Sequence, residues 1–207
     1  MMLAACGESA PTSPGPNEDG AVHLEMRLHL LQSSQLDALD ATLTDDEVGE
    51  VIQAVNEVWA QAGVVWQIEQ IIREPALNPD VFRQVLNDPR GNSTSLVVAV
   101  LPKENIRPDI WNVFLIRDFG GAIGGVYLLR ERVVVSAELD PLGNRDLSGG
   151  TARILAHELG HSLGLNHVPC TATGNLMAAG CPTGTRTRLE PVQIQIARQQ
   201  AETGQPF

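Results

Sequence analysis

His157-Glu158-Leu159-Gly160-His161-Ser162-Leu163-Gly164-Leu165-Asn166-His167 places three imidazoles, one carboxylate and two glycines within a single run. Residues four apart lie on one face of an α-helix, so His157 and His161 can address the same metal ion. Neutral imidazole is a good zinc ligand, and three protein donors leave a tetrahedral ion one open place for water. Glu158 sits beside the first of these donors and can reach that water without binding the ion itself. His167 sets the topology. On a continued helix it would lie about 15 Å beyond His157 along the axis, too far to share the ion. The chain must therefore turn back after His161. Gly164 stands where the reversal needs a residue that accepts the left-handed conformation. Gly160, in mid-helix, reads as a point of close approach for another segment. The alternative, a surface helix with incidental histidines, fits poorly with a third histidine just past a helix-ending glycine.

These residues resemble the signature of the metzincin clan of zinc endopeptidases, H-E-x-x-H-x-x-G-x-x-H followed by a methionine-containing turn. His157, Glu158, His161, Gly164 and His167 match all of its defined positions, and Asn175-Leu176-Met177-Ala178 is the candidate turn. The resemblance implies that His157, His161 and His167 bind Zn(2+) and that Met177 forms an apolar floor beneath them. It also implies peptide-bond hydrolysis by a metal-bound water that Glu158 activates. The substrate, a peptide or protein, would lie extended along an edge strand near residues 121–129. Gly120-Gly121-Ala122-Ile123-Gly124-Gly125-Val126 looks like the approach to that strand in matrixins and adamalysins, and the segment 189–198 resembles their C-terminal helix. Val168 departs from the Ser, Asp or Glu found after the third histidine in the best-known groups. No tyrosine follows Met177 where astacins and serralysins carry a further ligand. The chain is thus matrixin/adamalysin-like with its subfamily unassigned, and a pappalysin-like peptidase is an alternative within the clan. A rival of another class is a non-catalytic zinc-binding envelope module on the same fold. The presence of Glu158, the residue such a descendant would most readily lose, favours the enzyme.

The fold implied is α+β: a twisted, mostly parallel sheet with an antiparallel edge strand, two backing helices, and a small C-terminal subdomain with the Met-turn and a terminal helix. The chain divides into a leader remnant and tether (1–20) and one catalytic domain (21–207), its upper part at about 21–165 and its lower part at about 166–207. A chain of 207 residues with 43% hydrophobic content can bury one substantial core. A net charge of −11 argues against nucleic acid as a partner, which would call for a basic face. No apolar run reaches the roughly 18 residues of a transmembrane helix.

The alternation of Val22-His23-Leu24-Glu25-Met26-Arg27-Leu28-His29-Leu30 predicts a half-buried strand with His23 and His29 on its outer face. Thr44-Asp45-Asp46-Glu47 predicts a capping box, opening a helix that runs on towards Gly63. Further strands are expected over 64–71, 95–101, 111–116 and as a pair over 126–135, with a short helix over 79–87. Trp59, Trp66 and Trp111 read as core residues.

Three features lie outside this frame. Leu3-Ala4-Ala5-Cys6 matches a bacterial lipobox, and the Pro/Gly/Ser-rich acidic stretch after it reads as a flexible tether. Cys6 is the candidate site for a lipid anchor if the native product begins upstream of Met1; otherwise the match is a chance one in a tail. Cys170 and Cys181 bracket the methionine turn and are expected to form a disulfide, which requires an oxidising compartment. The expected location is accordingly extracytoplasmic, secreted or lipid-anchored at a bacterial cell envelope. Asp140-Pro141-Leu142-Gly143-Asn144-Arg145-Asp146 offers oxygen donors of the kind that structural Ca(2+) takes. It equally reads as a turn ahead of a helix cap at Ser148. Substrate specificity is expected to rest on the wall after Met177, where Ala178, Ala179, Gly180, Thr183 and Gly184 are small.

Overall fold

The computed structural model describes residues 20–87, 94–121, 123–172, 174–179 and 186–207. Cys6, Cys181 and the wall positions Gly180, Thr183 and Gly184 lie outside the described residues. Strands β1 (Val22–Gln32), β2 (Val64–Pro75), β3 (Trp111–Ile116), β4 (Gly125–Leu128) and β5 (Val133–Ala137) form one sheet in the order β2-β1-β3-β5-β4. All neighbours are parallel except β4, which runs antiparallel to β5 from the Gly125–Ser136 pair to the Leu128–Val133 pair. β4 is therefore the edge strand, and its second side has no strand partner among the described residues.

Parallel neighbours require long crossovers, and the first of these contains helix α1 (Asp45–Trp59). The expected capping box opens it: Thr44 Oγ1 accepts from the Glu47 backbone N–H at 3.3 Å, and Glu47 Oε2 accepts from the Thr44 backbone N–H at 2.8 Å. Two orphan amides are thereby satisfied. Val48, Val51, Ile52, Val55 and Trp59 are its buried stripe. Together with helix α4 (Ala152–Ser162), this stripe packs on Leu24, Met26 and Leu28 of β1 and Val113 of β3. The tryptophans form the centre of this core. Trp66 meets Trp59 and Trp111 edge-on, with ring centroids 6.4 and 5.4 Å apart, the geometry that aromatic quadrupoles favour.

The opposite face of the sheet carries a second core, and here the sequence reading needs correction. The segment expected to be a strand over 95–101 is helix α3 (Thr94–Val98) followed by a turn. A short apolar run does not distinguish the two by itself. The run buries Val97, Val100 and Leu101 beside Phe82 and Val85 of helix α2 (Pro79–Leu86). α2 matches the short helix expected over 79–87.

The surface placement of His29 is also overturned. The first half of β1 alternates as expected, with Glu25 exposed, but residues 28–31 are buried on both faces. His29 is fully buried, stacked on Phe114 at 4.3 Å. Its Nδ1 lies 2.6 Å from Glu74 Oε1 and its Nε2 lies 3.3 Å from Asn112 Oδ1. Glu74 is within reach because β2 continues to Pro75, beyond the expected end near residue 71. Asn105 donates to the other Glu74 oxygen at 2.7 Å. Buried polar groups are tolerated when partnered in this way.

Helix α5 (Pro191–Ala201) closes the chain, as expected from the segment 189–198. Gln193 Oε1 accepts from the Glu190 backbone N–H at 2.8 Å, and from Asn175 Nδ2 at 2.8 Å.

His29→Leu removes the partner of a buried Glu74 oxygen, a loss of roughly 1–3 kcal/mol. Urea denaturation at neutral pH should show that drop, whereas metal content should be unchanged because the network lies on the face away from α4. A loss under about 0.5 kcal/mol would show that the network contributes nothing to the fold.

Candidate metal centre and cleft

α4 carries His157, Glu158 and His161 and begins differently from expectation. The cap is Asp146 rather than Ser148: its carboxylate oxygens accept from the backbone N–H groups of Gly149 and Gly150, both at 3.1 Å. A turn of π-helix over Leu147–Thr151 makes this possible by setting the helix start two residues earlier. Asp140 Oδ1 accepts from the backbone amides of Leu142 and Asn144 at 2.9 and 2.8 Å. These carboxylates close a turn and cap a helix, so calcium finds no support in this segment.

At its other end α4 stops as the sequence requires. Gly164 has φ +80°, the left-handed region that side chains disfavour. The Leu165 N–H donates to the Gly160 carbonyl and the Gly164 N–H to the His161 carbonyl, both at 3.0 Å, which is a Schellman motif. The same motif orients a histidine, because the Leu165 carbonyl accepts from His161 Nδ1 at 2.7 Å. Trp111 Nε1 donates to Ser162 Oγ at 2.9 Å and ties the helix end to β3.

The reversal delivers His167 to its partners. His167 Nε2 lies 3.1 Å from His157 Nε2 and 3.0 Å from His161 Nε2. His157 Nδ1 donates to the Leu176 carbonyl at 2.7 Å. With Nδ1 protonated on both helix histidines, their Nε2 atoms are bare lone pairs facing inward. Such acceptors repel one another unless a cation lies between them. A tetrahedral ion with Zn–N bonds of about 2.0–2.1 Å holds its donors roughly 3.3 Å apart, close to the spacing here. Burial lowers the pKa of all three imidazoles, that of His157 to about 4, which favours the neutral ligand form. The residues fit a zinc ion, and theirs is the one group among the described residues that could hold a metal.

Met177 is fully buried in the turn between Asn175 and Ala178. Gly160 explains how this turn reaches α4: a Cβ at Gly160 would stand 2.6 Å from Met177 Sδ. Asn175 Oδ1 accepts from the Met177 N–H at 2.8 Å. Through Gln193 this asparagine also links the turn to α5. Sequence reading missed the Asn175–Gln193 link, since a lone Asn and Gln eighteen residues apart give no signal. Cys170 is exposed, with Sγ 3.4 Å from the Ala179 carbonyl.

Glu158 is buried beneath the edge strand. A Cβ at Gly125 would stand 2.6 Å from Glu158 Cγ and 2.9 Å from the Val135 carbonyl, so only glycine leaves room for the carboxyl there. Burial raises the Glu158 pKa to about 8, partly offset by a hydrogen bond from the Tyr127 backbone. The charge of a bound cation would oppose that rise. The histidines, Glu158 and β4 face one cleft of about 950 Å³.

The family model for metallo-peptidase family M12B, reprolysin-like, matches residues 46–168, from the first turn of α1 to the residue after His167. The chain belongs to that family and is a zinc metallopeptidase of the metzincin clan. In fold it is similar to an archaemetzincin from Methanopyrus kandleri, at 13% identity over 86% of this chain and 95% of that one, with a TM-score of 0.51. It also aligns with metalloproteinase-II from Bacteroides fragilis, at 17% identity over 87% of this chain and 53% of that one, with a TM-score of 0.47. No curated protein matches the chain.

His161→Ala leaves two imidazoles for an ion that needs three. Metal analysis after dialysis against a weak chelator should find zinc in the wild type and none in the variant. Retention of stoichiometric zinc by His161→Ala would show that the ion binds elsewhere.

Proposed function

We propose that this protein is an endopeptidase in which Glu158 acts as general base and then general acid on a peptide held along β4. The observation that carries the reading is the convergence of three imidazole Nε2 atoms, two of them left bare by Nδ1–H bonds to carbonyls, beside a buried carboxyl and a strand edge with no strand partner among the described residues. His157, His161 and His167 would hold the zinc. When bound, zinc polarises a carbonyl and lowers the pKa of water towards ~7.

The chain's own residues do the rest. The free side of β4 presents main-chain donors and acceptors to an extended peptide, which adds a strand to the sheet. Gly125 keeps the strand close over Glu158. The carboxylate of Glu158 accepts a proton from the attacking water and delivers it to the departing amine nitrogen. Its burial supports this exchange, because a carboxyl with a raised pKa both accepts and releases a proton near neutral pH. Met177 would serve as the floor of the site. Leu129 and Leu142, exposed by 56% and 80%, stand on the cleft. Exposed apolar side chains at an open cleft suit a long peptide more than a single residue.

The disulfide between Cys170 and Cys181 is part of this reading. It would tie the segment that carries Met177, and it supports a site of action in an oxidising, extracytoplasmic compartment. The lipobox-like sequence at Cys6 supports envelope attachment. Non-reducing peptide mapping of protein made by an oxidising route should recover the linked pair; two free thiols would sink that part of the proposal.

Glu158→Gln keeps the shape of the side chain and removes its basicity. Zinc content should be unchanged, while turnover of a peptide library should fall by ~10²–10⁴ or more. Near wild-type cleavage would refute the role of Glu158. Zinc binding with no cleavage by the wild type would favour the non-catalytic module instead.

A further inference from the structure

The charged side chains lining the cleft away from the histidines and Glu158 are Asp140, Arg153 and Arg186. Arg153 lies on α4 one turn before His157, so its side chain is on the same helix face as the first imidazole. Arg186 comes in from the segment after the methionine turn, and its Nη1 donates to the Ala178 carbonyl at 2.8 Å. Its Nε is buried and has no hydrogen-bond partner. Neither guanidinium forms an ion pair among the described residues. Asp140 and Asp146 act on Arg153 only through charge, and neither forms an ion pair with it among the described residues. Asp140 Oδ1 is engaged by Leu142 and Asn144 and the Asp146 carboxylate by Gly149 and Gly150.

Two cations brought together in one partly buried cavity repel each other. Burial lowers the pKa of Arg153, the charge of Arg186 lowers it further, and Asp140 and Asp146 offset part of the shift. With Arg186 Nε buried and unpartnered and Arg153 half-buried on the same cleft, an entering anion meets guanidinium donors that the described residues do not pair. Ala178 and Ala179, on the same wall, are small enough to leave that space open. Guanidinium recognises carboxylate through paired, charge-assisted N–H···O bonds.

We infer that Arg153 and Arg186 form a specificity pocket for a substrate carboxylate next to the scissile bond. The inference rests on the peptidase reading above and deepens it by naming the class of peptide. The carboxylate comes from an aspartate or glutamate side chain, or from a chain terminus lying near the cleaved bond.

The test compares C-terminally amidated peptides that differ only in Asp against Asn, or Glu against Gln, at each position flanking the cleaved bond. In one arm the same peptides are offered with free C-termini. Zinc-loaded wild type should cleave the acidic member of a pair about 10–100-fold more efficiently in kcat/KM, and raised salt should erode the preference. Arg186→Gln and Arg153→Gln should each bring the ratio towards one while zinc content is kept. Glu158→Gln, titrated calorimetrically with the uncleaved pairs, should show the same ratio in affinity. If preference appears only with free C-termini, the pocket stands and the carboxylate is terminal. Equal cleavage of acidic and amide peptides, or a ratio unchanged in both arginine variants, overturns the pocket while leaving the peptidase reading intact. Absence of cleavage beside a persistent affinity ratio does the reverse.

Discussion

His167 Nε2 is held about 3 Å from the Nε2 atoms of both His157 and His161, and much of the lower half of the molecule serves that one confrontation. His157 and His161 each donate Nδ1–H to a backbone carbonyl, which leaves only lone pairs pointing inward. Those carbonyls belong to Leu176 and Leu165, so the orientation of each ring depends on a turn distant from or beyond its own helix. The Schellman reversal at Gly164 and the turn at Met177 are therefore parts of the metal centre as much as the histidines are. A cation bound at this point would replace repulsion between lone pairs with attraction, and its binding would then add to the stability of the fold.

The same logic governs the carboxyl. Glu158 is buried where an ordinary surface glutamate would be solvated, and its raised pKa reflects the cost. That cost is sustained by a helix anchored on both sides. Leu155 and Leu159 pack into the tryptophan-centred core, and Trp111 holds the helix end through Ser162. β4 then passes over the carboxyl at the one residue type that allows it. Reactive groups placed against their solvation preference need such a rigid surround.

The second core, on the far face of the sheet, has a different task. It buries the ends of β1, β3 and β5 between α2 and α3, and it contains the His29–Glu74–Asn112 network. A parallel sheet with an uncovered face would leave apolar strand residues in water. Covering that face lets the sheet serve as a stiff support, with the cleft confined to the opposite side and the β4 edge.

By itself the sequence determined the features that are local in the chain. The spacing of His157, Glu158 and His161, the reversal at Gly164, the capping box at Thr44 and the alternation of early β1 all follow from helix and strand periods acting over a few residues. The open space at Gly160 was legible for the same reason, though not the identity of its occupant, Met177. What only the tertiary structure decided depends on residues far apart. The burial of His29 goes with its partners Glu74 on β2 and Asn112 and Phe114 on β3, some forty-five residues or more further on, which no period in β1 reveals. Residues 94–98 form a helix whose apolar residues pack with Phe82 and Val85 of α2, a partner that the run itself does not reveal. Asp146 displaced Ser148 as the cap because a π-turn shifted the helix start. The pairing of Arg153 with Arg186, and the place of Gly125 over Glu158, arise only when the edge strand, α4 and the segment after the methionine turn are folded against one another. Local hydrogen bonding and periodicity are properties of neighbouring residues; burial and charge environment belong to the assembled whole.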